Sequence, residues 1–159
     1  MTNTQANLQS DFLRQDVAGK TLVIYCPQEG APELVYFATS LPLETDLAAL
    51  KLSQQTSIPQ AMLDEPASLS LLPEAGKGWQ GSPAMEIAAT DRPAWAPRWS
   101  LDKVLSRDAG YQIFLSDNIA QLSVCLSLGL TQEGMFKQSL RVTNLGKGEV
   151  DVQRLALTM

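Results

Sequence analysis

The 159-residue chain contains no histidine. That absence removes the commonest general base and the commonest metal ligand together. Serines are frequent, yet acyl transfer by an activated serine needs a base beside it, and none of the usual kind exists here. Cysteine is nearly absent as well: Cys26 and Cys125 stand alone inside apolar, strand-like runs with no CxxC spacing. They cannot assemble a zinc site, and reduced, buried thiols are the expectation. No cofactor and no metal follow from the residues present.

Positive charge is scarce too. Lys and Arg number 12 against 17 Asp and Glu, a net of -5, and no basic run would track a phosphate backbone or an anionic membrane. Nucleic acid and membrane are therefore excluded as expected partners. No apolar run has the length of a membrane span, and the N-terminal MTNTQANLQSDF lacks the basic-then-apolar order of an export signal. A cytoplasmic location is expected.

What is present is a globular composition, 45% hydrophobic and 18% charged, long enough for one domain with a real core. Residues 1–11 read as a flexible polar leader and 12–159 as the domain. KTLVIYC (Lys20 to Cys26) and ELVYFATSLP (Glu33 to Pro42) flank the turn PQEGAP and predict a β-hairpin. LETDLAALKLSQQ follows, with Leu43, Leu47 and Leu50 at helical spacing and Thr45 or Asp46 as cap, which predicts one short helix.

Between Thr56 and Trp99, Pro59, Pro66, Pro73, Pro83, Pro93 and Pro97 alternate with Gly76, Gly78 and Gly81. Such a stretch is a long loop with room only for short strands near Ser68 to Leu72 and Met85 to Ala89. Beyond it the two-residue period is plain. SLDKVLSRDAGYQIFLSD predicts strand, turn, strand; QLSVCLSLGLT sets Leu122, Val124, Leu126, Leu128 and Leu130 on one face. FKQSLRVTN puts Phe136, Gln138, Leu140 and Val142 opposite Lys137, Ser139, Arg141 and Thr143, and NLGKGE turns the chain into VDVQRLALTM. Val150 and Val152 share one face of that strand while Leu155, Leu157 and Met159 share the other, so a bulge or a change of buried face is expected near Gln153 and Arg154. The expected fold is mainly β: an antiparallel two-sheet sandwich with one short helix and long Pro/Gly-rich loops.

Catalytic candidates are few. GKGW has glycines and a lysine but not the spacing of a phosphate-binding loop. Asp64 with Glu65, and Glu86 or Asp91, are carboxylates that read as solvated surface charges, so no catalytic residue is assigned. Trp79, Trp95 and Trp99 are the remaining chemistry-bearing group. Held extended by Pro93 and Pro97, Trp95 and Trp99 would point the same way about 13 Å apart. They then either form a sugar-stacking platform or fill the core or an inter-domain seam.

ASLSLLPEAGKGWQGSPAMEI (Ala67 to Ile87), the C-terminal LRVTNLGKGEVDVQRLALTM and the early LVYFATSLP together resemble the N-terminal domain of family 36 glycoside hydrolases, the bacterial α-galactosidases. The resemblance implies a β-supersandwich that precedes a catalytic (β/α)8 barrel. It further implies retaining hydrolysis of terminal α-galactosides by two aspartates on that barrel, neither of them in this chain. It implies a homo-oligomer as well: in some members, which are tetramers, a loop of this domain reaches a neighbouring subunit's sugar pocket with an Asp and an Arg from Gly-Asp-Phe-Arg. ATDRPAW is the nearest counterpart here, and it makes Asp91 and Arg92 candidate sugar contacts although the flanking Gly and Phe are absent. A plain surface turn is the other reading of the pair. The expected role is a non-catalytic domain packed on the barrel; a free-standing carbohydrate-binding module built on the tryptophans is the alternative. The final strand then leads from the sandwich toward the rest of an enzyme.

Overall fold

In a computed structural model, residues 11–55, 68–75, 77 and 81–157 are described. The leader, except Asp11, lies outside them. The chain forms nine strands and one helix among these residues. They are β1 (Phe12–Val17), β2 (Lys20–Tyr25), β3 (Glu33–Thr39), α1 (Leu47–Ser53), β4 (Met85–Ala89), β5 (Ser100–Arg107), β6 (Gly110–Asp117), β7 (Leu122–Leu130), β8 (Phe136–Asn144) and β9 (Val150–Leu155). All pairing is antiparallel, in a β1-β2-β3 sheet, a β4-β9 ribbon and a β5-β6-β7-β8 sheet. The expected antiparallel sandwich is present, with its hydrogen bonding divided among three sheets rather than two.

The predicted hairpin is β2 with β3, and it gains a strand that composition did not signal. FLRQDV is half polar because β1 is an edge strand that buries little beyond Leu13. Its link to β2 is Ala18 and Gly19, both at positive φ (50° and 72°). A two-residue turn of that hand matches the twist of the strands it joins. The segment from Ser68 to Leu72 is not a strand: Ser70 makes a single bridge to Glu33, and the amides of Leu34 and Leu71 bind the carbonyls of Leu69 and Pro32.

The helix forms where expected and for a different reason. Asp46 caps it, its carboxylate accepting from the amides of Ala48 (2.9 Å) and Ala49 (3.0 Å). None of its residues is buried, and Leu43 lies before it, 84% exposed. Polar contacts hold it instead: Lys51 pairs with Glu33 and sits 4.2 Å over the Tyr25 ring, and Gln54 donates to the carbonyl of Val35.

One core joins all three sheets. Leu22 and Ile24 come from the first, Met85 and Ile87 from the ribbon, Ile113 and Leu115 from the third. The β7 row from Leu122 to Leu130 is buried throughout, as its alternation predicts. Each such side chain contributes roughly 1.5–3 kcal/mol on leaving water. β8 keeps the predicted faces, but as a sheet edge its inner row is only half-buried. β9 carries the predicted irregularity: Glu86 pairs Arg154 and Ile87 pairs Val152, leaving Gln153 as the extra residue.

Candidate functional site

The loop from Thr90 to Trp99 carries four of the five candidate residues: Asp91, Arg92, Trp95 and Trp99. Trp79 lies outside the described residues. β4 delivers the chain to this loop, and its pairing with β9 brings the loop beside the β8–β9 turn. There the amide of Thr90 donates to the carbonyl of Glu149 (3.3 Å).

Asp91 and Arg92 are joined to each other and to both neighbouring turns. Arg92 Nη1 donates to Asp91 Oδ1 at 2.6 Å, Nη2 to Asn144 Oδ1 at 2.5 Å, and Nε to the carbonyl of Ala120 at 2.6 Å. Asp91 Oδ2 accepts from the amide of Gly148 at 2.9 Å. The planar guanidinium suits this role because it donates in several fixed directions at once. The result is a clasp over three loops: 90–99, the β6–β7 turn and the β8–β9 turn.

The GKG of the β8–β9 turn is explained by the same contacts. A Cβ on Gly146 would lie 2.3 Å from Arg92 Nη1, and one on Gly148 would lie 2.3 Å from the Asp91 carboxylate. Only glycine permits so close an approach. Arg92 is nearly buried at 7% of its side-chain surface, whereas Asp91 keeps 40% open. Desolvation pushes the Asp91 carboxyl up, but hydrogen bonds from Arg92 and the Gly148 amide, with the Arg92 charge, hold it below its ordinary value. Asp91 is therefore a stable carboxylate and a poor proton donor.

The two tryptophans diverge. Trp99 is 3% exposed, its backbone amide facing the buried Glu74 carboxylate at 3.3 Å, and belongs to the core. Trp95 is 70% exposed. The extended chain that would have aimed them alike does not exist, because the backbone bends at Trp95 and Ala96. A two-indole platform is thus replaced by one exposed ring. Each loop held by Arg92 presents one such apolar side chain: Trp95, Ile119 at 73% and Leu145 at 58%. Ile119 and Leu145 escaped sequence reasoning, since isolated apolar residues in turns carry no period.

Elsewhere a groove of about 880 Å³ runs between β3, α1 and the segment near Ser68 to Lys77. Four of its charged side chains pair with each other, Glu33 with Lys51 and Glu74 with Lys77. Cys26 is a free thiol, and burial, helped by the Asp11 charge, pushes it up to about 12. Cys125, also free, is half-buried on the outer face of β7. Among the described residues no group of three or more Cys, Asp and Glu side chains is placed to hold a metal ion, and no helix is long and apolar enough to cross a membrane.

The family model described as the glycosyl hydrolase family 36 N-terminal domain matches residues 30–159. No curated protein matches the chain. The match runs from the β2–β3 loop through β9 and includes the clasp and every described candidate residue. The chain belongs to the glycosyl hydrolase family 36 N-terminal domains, the non-catalytic portion of these glycoside hydrolases.

Proposed function

We propose that this domain serves an α-galactosidase, packing on its catalytic (β/α)8 barrel and presenting the 90–99 loop to the galactoside site of a neighbouring subunit. The observation that carries this reading is the contrast within one loop. The Arg92 side chain is 7% exposed and donates from all three of its nitrogens, so the loop is held in place, while Trp95 stands 70% exposed from it. A fixed backbone carrying an exposed indole suits stacking on the apolar face of a sugar ring.

In this reading Trp95 is the contact residue, and Asp91, partly open and ionised, is available to accept from a sugar hydroxyl. Arg92 positions both. Trp99 supports the loop from the core. Trp79, in the same Pro/Gly-rich middle of the chain, remains a proposed contact.

The exposed Trp95 also favours a second reading, an independent carbohydrate-binding module. Galactoside titration of the chain with Trp95 fluorescence as readout separates the two. A saturable response from the isolated domain supports the module; no response supports a contact completed by a neighbour. The non-catalytic role itself is tested on an aryl α-galactoside. The chain alone should give no turnover, and turnover that survives purification would overturn the assignment. In an enzyme carrying both domains, Trp95→Ala should raise KM several-fold with little change in kcat, as loss of uniform binding does.

A further inference from the structure

The β6–β7 turn, residues 118–121, receives both ends of the loop that carries Trp95. At one end Arg92 Nε donates to the carbonyl of Ala120 (2.6 Å). At the other the backbone amide of Arg98 donates to Asp117 Oδ2, also at 2.6 Å, across 19 positions. The same turn holds the β8–β9 turn, since the Leu145 amide donates to the carbonyl of Gln121 (2.8 Å). Gln121 stands at φ 48°, in the left-handed region that a residue with a side chain seldom enters, so the turn keeps one particular shape that its contacts enforce.

Asp117 is the centre of this arrangement, and its two oxygens do different work. Oδ1 accepts from the amides of Ile119 (2.7 Å) and Ala120 (2.9 Å), a local cap that shapes the turn. Oδ2 takes no part in that cap and reaches the loop instead. The residue is 8% exposed and has no ion-pair partner among the described residues. Burying a carboxylate without a cation costs free energy, and the turn alone does not require it, because an Asn can cap in the same way. The Arg98 amide is what needs the second acceptor. Trp95 lies midway between Arg92 and Arg98, three residues from each. Ala94 and Pro97, buried on either side of it, are held by apolar contact that has no direction, so they retain the loop without setting its bearing.

We propose that Asp117 is a positioning residue: by binding the Arg98 amide it fixes the 92–98 loop on the β6–β7 turn and so sets the direction in which Trp95 is presented. The purpose of that presentation rests on the sugar contact proposed above, but the positioning is measurable without sugar.

Backbone NMR on the chain tests it. In wild type the Arg98 amide should be protected from hydrogen exchange as the Ile119 and Ala120 amides are, and Trp95 should have an order parameter of about 0.85, as rigid backbone does. Asp117→Asn keeps an oxygen for the turn and sets an NH2 against the Arg98 amide, donor against donor. Arg98 exchange should rise about ten- to a hundred-fold, as the loss of one bond to a charged acceptor implies, against about five-fold or less at Ile119 and Ala120. The Trp95 order parameter should fall below about 0.6. An Arg98 amide that exchanges freely in wild type would overturn the proposal with no variant made. Equal rises at all three amides would do the same, and so would a Trp95 that stays rigid once Arg98 is released. In an enzyme carrying both domains, Asp117→Asn should raise KM for an aryl α-galactoside several-fold with kcat unchanged. A mobile Trp95 with an unmoved KM would uphold Asp117 as the positioning residue and refute the sugar contact.

Discussion

Arg92 and Asn144, 52 positions apart, share a 2.5 Å hydrogen bond from the guanidinium Nη2 to the amide oxygen. Asn144 also donates to the carbonyl of Gly148 (2.9 Å) and accepts from the amide of Gly146 (3.0 Å), so it shapes the β8–β9 turn that Arg92 grips. Arg92→Ala would take one donor each from the Ala120 carbonyl, the Asn144 oxygen and the Asp91 carboxylate, leaving the last two their bonds from the Gly146 and Gly148 amides. We expect a loss of about 2–4 kcal/mol in urea unfolding. Arg92→Lys should recover only part of it, because an ammonium cannot reproduce the planar fork. Equal stability of the Lys variant and wild type would show that the fork geometry is immaterial.

Gly148→Ala forces a Cβ against the Asp91 carboxylate and should destabilise by about 1–3 kcal/mol. Asp91→Ala removes the obstacle. The double variant should therefore be more stable than the sum of the single losses predicts, by about 0.5 kcal/mol or more. Strict additivity would mean that the glycine is required for another reason.

Acid should weaken the fold through three carboxylates held below their ordinary values: Asp16, Asp91 and Glu133, the last chiefly by its hydrogen bond with the Thr131 side chain. The hydrogen bond from Arg14 is the largest influence on Asp16 and lowers it against an opposing desolvation; Thr21 and the Arg14 charge act in the same direction. Asp91 is also lowered, its own desolvation being outweighed by Arg92 and the Gly148 amide. Asp16 and Asp91 start from an ordinary value of 3.8, Glu133 from 4.5. A depressed carboxyl contributes stability that is complete above its unfolded value and disappears as pH falls through the folded one. Urea midpoints should accordingly hold steady near neutrality and drop below about pH 4. Asp16→Asn combined with Asp91→Asn should flatten that drop, and an unchanged slope would assign it to other groups.

The two tryptophans of the loop should separate stability from surface. Trp99→Ala empties a core position and is expected to cost about 3–5 kcal/mol. Trp95→Ala, on the exposed ring, should stay within about 0.5 kcal/mol of wild type. Fluorescence should agree: the Trp95→Phe variant retains the emission of the buried Trp99, and acrylamide should quench wild type more strongly than this variant.

Much of the fold is legible in single strands. β7 displays its buried face in five alternating residues because one side of a central strand meets the core along its whole length. β9 reveals its bulge because Val150 and Leu155 can share a face only if one residue is extra. Asp46 caps α1 through a local bond that needs no tertiary partner. β1 is less legible, since an edge strand buries too little to impose a period. The stripe expected of α1 misled for a related reason: its leucines stay outside the core, and the helix is fixed by Lys51 and Gln54.

The candidate loop shows where the division falls. Its sequence determined that Asp91, Arg92, Trp95 and Trp99 lie close together along the chain, and that glycines punctuate the later turn. Which tryptophan enters the core, and that Arg92 faces inward to join three loops, depend on β4 pairing with β9 across more than sixty residues and on the bend at Trp95. Local sequence sets alternation and turns because those follow from the covalent period of the backbone. The clasp and the exposed indole are tertiary because they arise only when distant turns supply the hydrogen-bond acceptors that hold the guanidinium.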